Sequence, residues 1–174
     1  MRIRDLFWAI GLIGLASAPV EAASMTYTNS RYLYSVDYPA SWHMKEVGKV
    51  TTFLSPFESK EDKFAENVTI VVEDISAAPA AMTLLDYHRQ AVSEAPKRLS
   101  EFKMLEEART EFQGREAIAI LYTAQVKGQT FKFKDYKFLV GRDMIVMTYT
   151  ALKNDFDVYL SAAEKVMHSL RVSP

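Results

Sequence analysis

Two segments in the second half of the chain are apolar on both sides of the strands that they predict. In Arg115–Val126, odd-numbered and even-numbered positions alike are apolar or aromatic from residue 117 to residue 122. The first half of Met144–Ala151 shows the same pattern. A half-exposed strand would alternate apolar with polar residues, so these segments predict two central strands of a sheet covered on both faces.

Alternation with a period of two predicts the remaining strands. They are expected at Met25–Thr28, Tyr34–Tyr38, Lys49–Leu54, about Asn67–Ile75, Met104–Phe112 and Thr130–Val140. Within the last of these, the aromatic and apolar positions are odd-numbered up to Phe133 and even-numbered from Tyr136 onward. A change of phase of this kind predicts a β-bulge, at Lys134 and Asp135.

Apolar residues at steps of three and four predict two helices. Thr83 is the expected cap of the first helix, with Asp86 at the capping-box position, and Pro96 is expected to end or kink that helix near Ala95. The second helix is expected to follow Asn154 as its cap and to run almost to the end of the chain.

The order of the elements is strands, a helix, a long antiparallel meander and a terminal helix. Without strict alternation of strands and helices, a doubly wound parallel fold is excluded. The predicted class is α+β, as an α/β/α sandwich with a central, mostly antiparallel sheet of about six strands flanked by helices.

The N-terminal residues resemble an export signal. Arg2 and Arg4 precede the uncharged apolar run Leu6–Ala18, and small residues surround Glu21. We predict a signal peptide at residues 1–22 and one domain at residues 23–174, with a periplasmic or secreted location. An uncleaved anchor is the weaker alternative, because a membrane span needs about 20 apolar residues. The chain has no cysteine and therefore no lipid-anchored cysteine and no disulfide.

Charge and composition exclude several classes of function. The net charge of −1 argues against nucleic-acid binding, which needs a basic excess. None of the 6 glycines forms a phosphate-binding loop, so no nucleotide cofactor is expected. No serine lies in a G-x-S-x-G motif, and no catalytic residue is assigned.

Isolated ionisable residues give little indication of a site. His43, His88 and His168 lie far apart in the sequence with no carboxylate at ligand spacing, and His88 is expected at the core edge. No metal site is therefore predicted. Three acidic residues are too dispersed in the sequence to define a site: Asp135, Asp143 and Asp155. Four basic residues are mixed with acidic ones and are expected on a solvated strand face: Lys132, Lys134, Lys137 and Arg142.

Aromatic residues near the N-terminus are the better candidates for recognition. Tyr34 and Tyr38 fall on the predicted inner face of their strand, whereas Tyr27 and Tyr32 are expected to stay exposed. Exposed aromatic rings are common in protein-binding surfaces. Tyr27 and Tyr32 are therefore the predicted partner-binding surface.

Several short motifs follow one another along the chain in a recognisable order. The clearest segments are Tyr34–Pro39 followed by Trp42, then Phe53–Pro56, then Asn67–Val72. Looser ones follow at Thr83–Tyr87, Gly114–Ala117 and Ser169–Arg171. This ordered set resembles the PsbP-like family, which includes the extrinsic photosystem II subunit and many exported bacterial proteins. The resemblance implies an α/β/α sandwich and a non-enzymatic binding or assembly role outside the cytoplasmic membrane. It supplies no set of catalytic residues.

The leading functional prediction is an exported, non-enzymatic module that binds a protein or complex of the cell envelope. The alternatives are a carrier of a metal or a small apolar ligand between sheet and helix, and a small hydrolase with dispersed site residues. An apolar pocket would favour the carrier, and a buried histidine–carboxylate pair in a cleft would favour the enzyme.

Overall fold

The structure is a computed structural model that describes residues 23–62, 64–80 and 82–172. The predicted signal peptide lies outside the described residues. The elements are β1 (Ser24–Asn29), β2 (Tyr34–Pro39), β3 (His43–Val47), β4 (Val50–Leu54), β5 (Asn67–Asp74), α1 (Leu84–Arg98), β6 (Ser100–Phe112), β7 (Arg115–Val126), β8 (Gln129–Val140), β9 (Asp143–Leu152), α2 (Phe156–His168) and β10 (Arg171–Val172).

The strands form two antiparallel sheets. The large sheet has seven strands in the order β3-β4-β5-β9-β8-β7-β6, and the small sheet has three in the order β1-β2-β10. The predicted α+β class with antiparallel pairing is confirmed, but a sheet of about six strands is an underestimate. The strand pattern misses β3, because this edge strand is largely exposed and has no apolar alternation.

Each face of the large sheet packs on its own apolar core. Helix α2 and strand β2 cover the larger core, which includes Phe53, Phe138 and Met147. Helix α1 contacts β6, β7 and β8 over a smaller core. That core consists of Ile75, Leu84, Ile118, Ile120 and Met144. Among the described residues, no helix is long and apolar enough to cross a membrane.

The two strands predicted to be buried on both faces are covered only in part. Strand β9 is the middle strand of the large sheet, but β7 lies next to the edge strand β6. Met147 and Tyr149 of β9 are fully buried under α2, whereas Val146 and Thr148 on the opposite face are only partly buried. The reason is the limited width of α1, which covers β6–β8 and leaves the neighbouring face of β9 and β5 open at its side.

The predicted bulge in β8 is absent. Strand β8 pairs without interruption from Thr130 to Phe138 with β7 and from Phe131 to Val140 with β9. The register shifts lie in β6 instead, between Ser100 and Glu106. In β8 the apolar residues therefore change from odd to even positions, although successive side chains still alternate regularly between the two faces of the sheet.

Of the three predictions about the helix ends, one is confirmed. The capping box of Thr83 and Asp86 is confirmed at the start of α1. Pro96 does not end α1, which continues to Arg98; in the last turn the missing proline N–H removes only one hydrogen bond. Asn154 is not the cap of α2, because a turn from Leu152 to Asp155 makes Asp155 the first flanking residue.

Candidate ligand cleft beside helix α1

A cleft of about 580 Å³ lies between α1 and the part of the large sheet that the helix leaves open. Small-molecule sites typically occupy about 300–1,000 Å³. Its apolar lining includes Ala91, Ala95, Phe102, Ile120, Tyr122 and Val146. The first half of α1 buries Leu84 and His88 against the sheet. The second half offers alanines there, and these are too small to fill the space beneath the helix.

The cleft contains a buried ion pair. Asp135 and Lys137, two residues apart on β8, both face α1 and are only 4% and 6% exposed. The Lys137 Nζ atom lies 3.4 Å from Asp135 Oδ2. Both side chains line the cleft. Two opposite charges at this depth must be paired, because an isolated buried charge is very costly.

One oxygen of this pair lacks a hydrogen bond. Burial raises the pKa of Asp135, and the Lys137 ammonium and the Thr148 hydroxyl act against this by favouring the ionised carboxylate. Even so, Asp135 Oδ1 is buried without a hydrogen bond from any described residue. Buried polar atoms almost always have a partner, so this sealed carboxylate oxygen is an exception.

His88 lies near the ion pair but outside the lining of the cleft. Its Nε2 atom is 3.3 Å from Glu107 Oε2 on β6. The buried Nδ1 atom has no hydrogen-bond partner among the described residues. A buried imidazole therefore lies beside a half-exposed carboxylate, and the imidazole does not line the cleft.

Tyr122 provides an aromatic wall beside Asp135. Its ring stacks on Phe133 at 4.7 Å between centroids and contacts Phe102 at 5.4 Å. Burial raises the pKa of the Tyr122 hydroxyl, and the nearby charge of Asp135 raises it further. The tyrosine is therefore neutral, and its hydroxyl can donate a hydrogen bond.

The predicted partner-binding tyrosines are packed rather than exposed. Tyr27 is partly buried against Tyr34 and Phe53, and its hydroxyl donates to Glu46. Tyr32 is also partly buried against the larger core, and its buried hydroxyl has no partner among the described residues. The expected exposure of both rings is wrong, because Tyr27 in β1 and Tyr32 in the turn before β2 each pack onto the larger core. Their role in partner binding stays a prediction.

The histidines and the acidic trio do not converge. His43 and His168 are exposed, whereas His88 is buried. Asp143 and Asp155 are exposed, whereas Asp135 is buried. Within residues 23–62, 64–80 and 82–172, no group of three or more potential metal-ligating side chains is close enough to hold an ion.

The predicted solvated basic face is also wrong. Lys137 is buried in the ion pair, and Lys134 pairs with Glu164 of α2 on the opposite face of the sheet. Lys132 lies over the Phe156 ring at 4.3 Å. Arg142 donates to the carbonyl oxygens of Ile75 and others in the segment before α1. The four cations act separately, each holding a different contact.

The sequence of β8 contains a signal for the cleft, but that signal was interpreted as a bulge. The apolar phase of β8 changes at Asp135 because this carboxylate and Lys137 occupy core positions on the α1 side. The same sequence pattern fits two structures: a strand with a bulge, or a regular strand with a pair of charged residues at inward-facing positions. Only the pairing register distinguishes the two.

Comparison with known proteins gives the fold. Neither a family model nor a curated protein matches the sequence. A structure of PA94 from Pseudomonas aeruginosa, of unknown function, is similar with a TM-score of 0.65 and 18% identity over 87% of this chain and 98% of that one. LpqN of Mycobacterium tuberculosis, involved in cell envelope biogenesis, is similar with a TM-score of 0.53 and 13% identity over 91% of this chain and 88% of that one.

A third structure supplies the link to the motifs found in the sequence. The cyanobacterial PsbP of Synechocystis sp. PCC 6803 is similar with a TM-score of 0.63 and 16% identity, over 94% of this chain and 100% of that chain. None of these three proteins is described as an enzyme. The motif resemblance and the structural similarity agree, and the chain therefore has a PsbP-like fold.

Proposed function

We propose that the chain is an exported, non-enzymatic binding module that binds its target in the cleft beside α1 and acts on a protein or complex of the cell envelope. The observation that carries the proposal is the cleft itself. It is large enough for a ligand or a partner side chain, and both apolar and charged side chains line it.

Binding explains the arrangement of groups better than catalysis does. A hydrolase needs a nucleophile, a base and an orienting group in mutual contact around the substrate. His88 is the only one of the three histidines that is buried, and it is paired with Glu107 outside the cleft lining. The Asp135–Lys137 pair is held on a rigid strand, which suits recognition of a fixed ligand geometry.

Export and domain organisation belong to the same proposal. The N-terminal pattern of residues 1–22 supports secretion across the membrane, with residues 23–174 as one domain. The envelope role described for LpqN, which has a similar fold, supports the same compartment. Because α1 and α2 contact different cores, we propose an α/β/α layering, with the small sheet beside α2.

Cross-linking in the native envelope tests this function. Ala95 lines the cleft, so Ala95→Trp should block it, whereas Ser93→Trp on the exposed side of the same helix is the matched control. We expect the unchanged chain and the Ser93→Trp variant to recover the same envelope protein, and the Ala95→Trp variant to lose it. Equal recovery by all three folded proteins would show that the cleft is not the binding site.

A carrier of a small ligand is the second candidate. It is favoured by the volume of the cleft together with its apolar lining residues. Native mass spectrometry of the chain isolated from its own envelope distinguishes it from the protein-binding module. A carrier retains a small adduct that the Ala95→Trp variant lacks, while a protein-binding module retains none.

A further inference from the structure

We propose that the cleft beside α1 takes an amphipathic α-helix of the partner protein, with an apolar face and acidic flanks. This helix lies next to α1 on the part of the large sheet that α1 leaves open. The inference rests on the proposed function, because it assigns the kind of partner segment that the same cleft binds.

A row of four valines extends the floor of the cleft to the edge of the sheet. Residues that pair directly across antiparallel strands lie on the same face of the sheet. Through this pairing, Val146 and Val71 in the cleft lining are aligned with Val50 on β4 and Val47 on the edge strand β3. Val50 is 36% exposed and Val47 is 63% exposed. The valine row is therefore an apolar surface that continues beyond the cleft.

A row of threonines lies beside the valine row. Thr52, Thr69 and Thr148 follow one another across β4, β5 and β9. The hydroxyl oxygens of Thr52 and Thr69 are 3.4 Å apart, and the Thr69 hydroxyl also donates to Asn67. Because these two hydroxyls already have partners within the sheet, an apolar surface can cover them at little cost.

The space beside α1 has the width of one helix. Neighbouring strands lie about 4.8 Å apart, so β3, β4, β5 and β9 span roughly 14 Å from the first to the last. An α-helix with its side chains is about 10–12 Å wide. Helix α1 packs on β6, β7 and β8. A single helix fits beside α1, whereas a wide second sheet or a flat membrane surface would meet α1 first.

Helix α1 offers a surface that a second helix can approach closely. Ala91 and Ala95 lie one turn apart on α1, and both line the cleft. Packed helix axes are about 8–10 Å apart, and the side chains at the contact set the distance. Two alanines favour the short end of this range, so the partner helix contacts α1 and the sheet together.

Three basic residues at the margins of this surface lack an ion pair. Lys45 lies on the same face of β3 as the valine row, Lys49 is exposed in the turn between β3 and β4, and Arg98 lines the cleft from α1. None of the three forms a salt bridge with a residue that the structure describes. Positive charge is therefore available on both sides of the site.

The acidic residues of the cleft at the same margins are already engaged. Glu73 accepts a hydrogen bond from the Tyr87 hydroxyl, and Glu94 pairs with Lys97. Acidic flanks on the partner helix would pair with the free cations, and basic flanks would be repelled. Charge complementarity therefore selects an acidic helix over a basic one.

Three labelled peptides of about 18 residues, long enough for roughly five helical turns, test the inference. The acidic peptide has leucines at steps of three and four and glutamates on the flanks. The basic peptide has lysines in place of the glutamates, and the scrambled peptide has the acidic composition without an apolar face. In fluorescence anisotropy at low salt, we expect the acidic peptide to bind at least about 5-fold more tightly than either of the others. Its preference over the basic peptide should shrink at high salt.

A substitution in the valine row tests the place of binding. Val50→Asp puts a charge into the proposed apolar contact and should weaken binding of the acidic peptide at least about 10-fold. Val158→Asp changes an exposed valine on α2 in the same way and should leave binding unchanged. Circular dichroism verifies that both variants are folded.

A charge reversal tests the chemistry of the flanks. Lys45→Glu with Lys49→Glu should make the chain prefer the basic peptide over the acidic one. Lys60→Glu with Lys165→Glu alters the net charge by the same amount at exposed positions elsewhere and should keep the preference for the acidic peptide.

The outcomes separate this inference from the proposed function. Equal binding of the three peptides, or binding that Val50→Asp does not weaken, would overturn the inference. Val50-dependent dimers in sedimentation velocity, or Val50-dependent binding to vesicles of phosphatidylglycerol and phosphatidylethanolamine, would also overturn it if no peptide bound. Partner recovery that still depended on Ala95 would then leave the proposed function standing. Peptide binding that Val50→Asp abolishes, together with partner recovery that does not depend on Ala95, would contradict the proposed function alone.

Discussion

Removal of Lys137 should destabilise the protein strongly, and more at neutral than at acidic pH. The ammonium lies 3.4 Å from Asp135 Oδ2, and both side chains are almost fully buried. Lys137→Met keeps the length of the side chain and removes its charge. The carboxylate of Asp135 is then left inside the protein with no compensating cation.

The magnitude follows from the burial of the pair. Breaking a buried ion pair by removing one partner typically costs about 3–5 kcal/mol, which is a large part of the free energy of unfolding of a domain. Replacing both partners by apolar residues is often neutral or stabilising. We therefore expect Asp135→Leu with Lys137→Met to be much more stable than Lys137→Met alone.

The dependence on pH follows from the direction of the pKa shift. Burial raises the pKa of Asp135 in the folded state above its unfolded value. Between these two pKa values the folded state binds more protons than the unfolded state, so the contribution of Asp135 to stability falls as the pH rises. Without Lys137 the folded-state pKa rises further and this window widens. The loss of stability in Lys137→Met should therefore shrink as the pH is lowered from 7 towards the unfolded pKa of an aspartate, about 4.

Urea unfolding followed by circular dichroism at several pH values measures these differences. Comparison with the unchanged chain at each pH removes the effect of other titrating groups. A loss below about 1 kcal/mol, as is typical of exposed pairs, would refute the buried pair. A loss that does not depend on pH would refute the assignment of the cost to ionised Asp135.

Three further predictions concern other parts of the fold. Phe138 is fully buried, whereas Phe57 is 62% exposed. In the same urea assay, Phe138→Ala should therefore cost about 3–5 kcal/mol and Phe57→Ala less than about 0.5 kcal/mol. Equal losses would contradict the placement of Phe138 in the core. Lys127 precedes Gly128 in the β7–β8 turn with a φ of 51°, so Lys127→Asn should raise the free energy of unfolding by about 0.5–1 kcal/mol, and a decrease would exclude the left-handed turn. Burial raises the pKa of Glu66, so Glu66→Gln should be more stable than the unchanged chain at pH 7, with an advantage that disappears as the pH falls through the pKa of Glu66; an advantage retained in acid would contradict this origin.

Much of the fold could be predicted because its signals are local. The alternation in β2 and β5, the helical spacing of α2 and the capping box at Thr83 each depend on residues that are close together in the sequence. The same is true of the tight turns that contain Gly114 and Gly128, both at positive φ. Short or exposed elements such as β3 and β10 escaped because few of their side chains are buried.

The candidate site could not be predicted in the same way. Its parts come from α1 and from strands β5 to β9, which only the folded chain brings together. The exposure of Tyr27 and Tyr32 likewise depended on where the first hairpin packs, which the sequence pattern does not report.

The sequence by itself determined the α+β class, the antiparallel meander and the two helices, because hydrophobic periodicity and capping act over a few residues. Only the tertiary structure decided that Asp135 and Lys137 are buried and that α1 leaves an open cleft beside them. Whether a charged strand residue faces water or protein depends on which helix covers that face of the sheet. That choice is made by the packing of the whole chain, in which the cost of burying one charge is offset by pairing it with another.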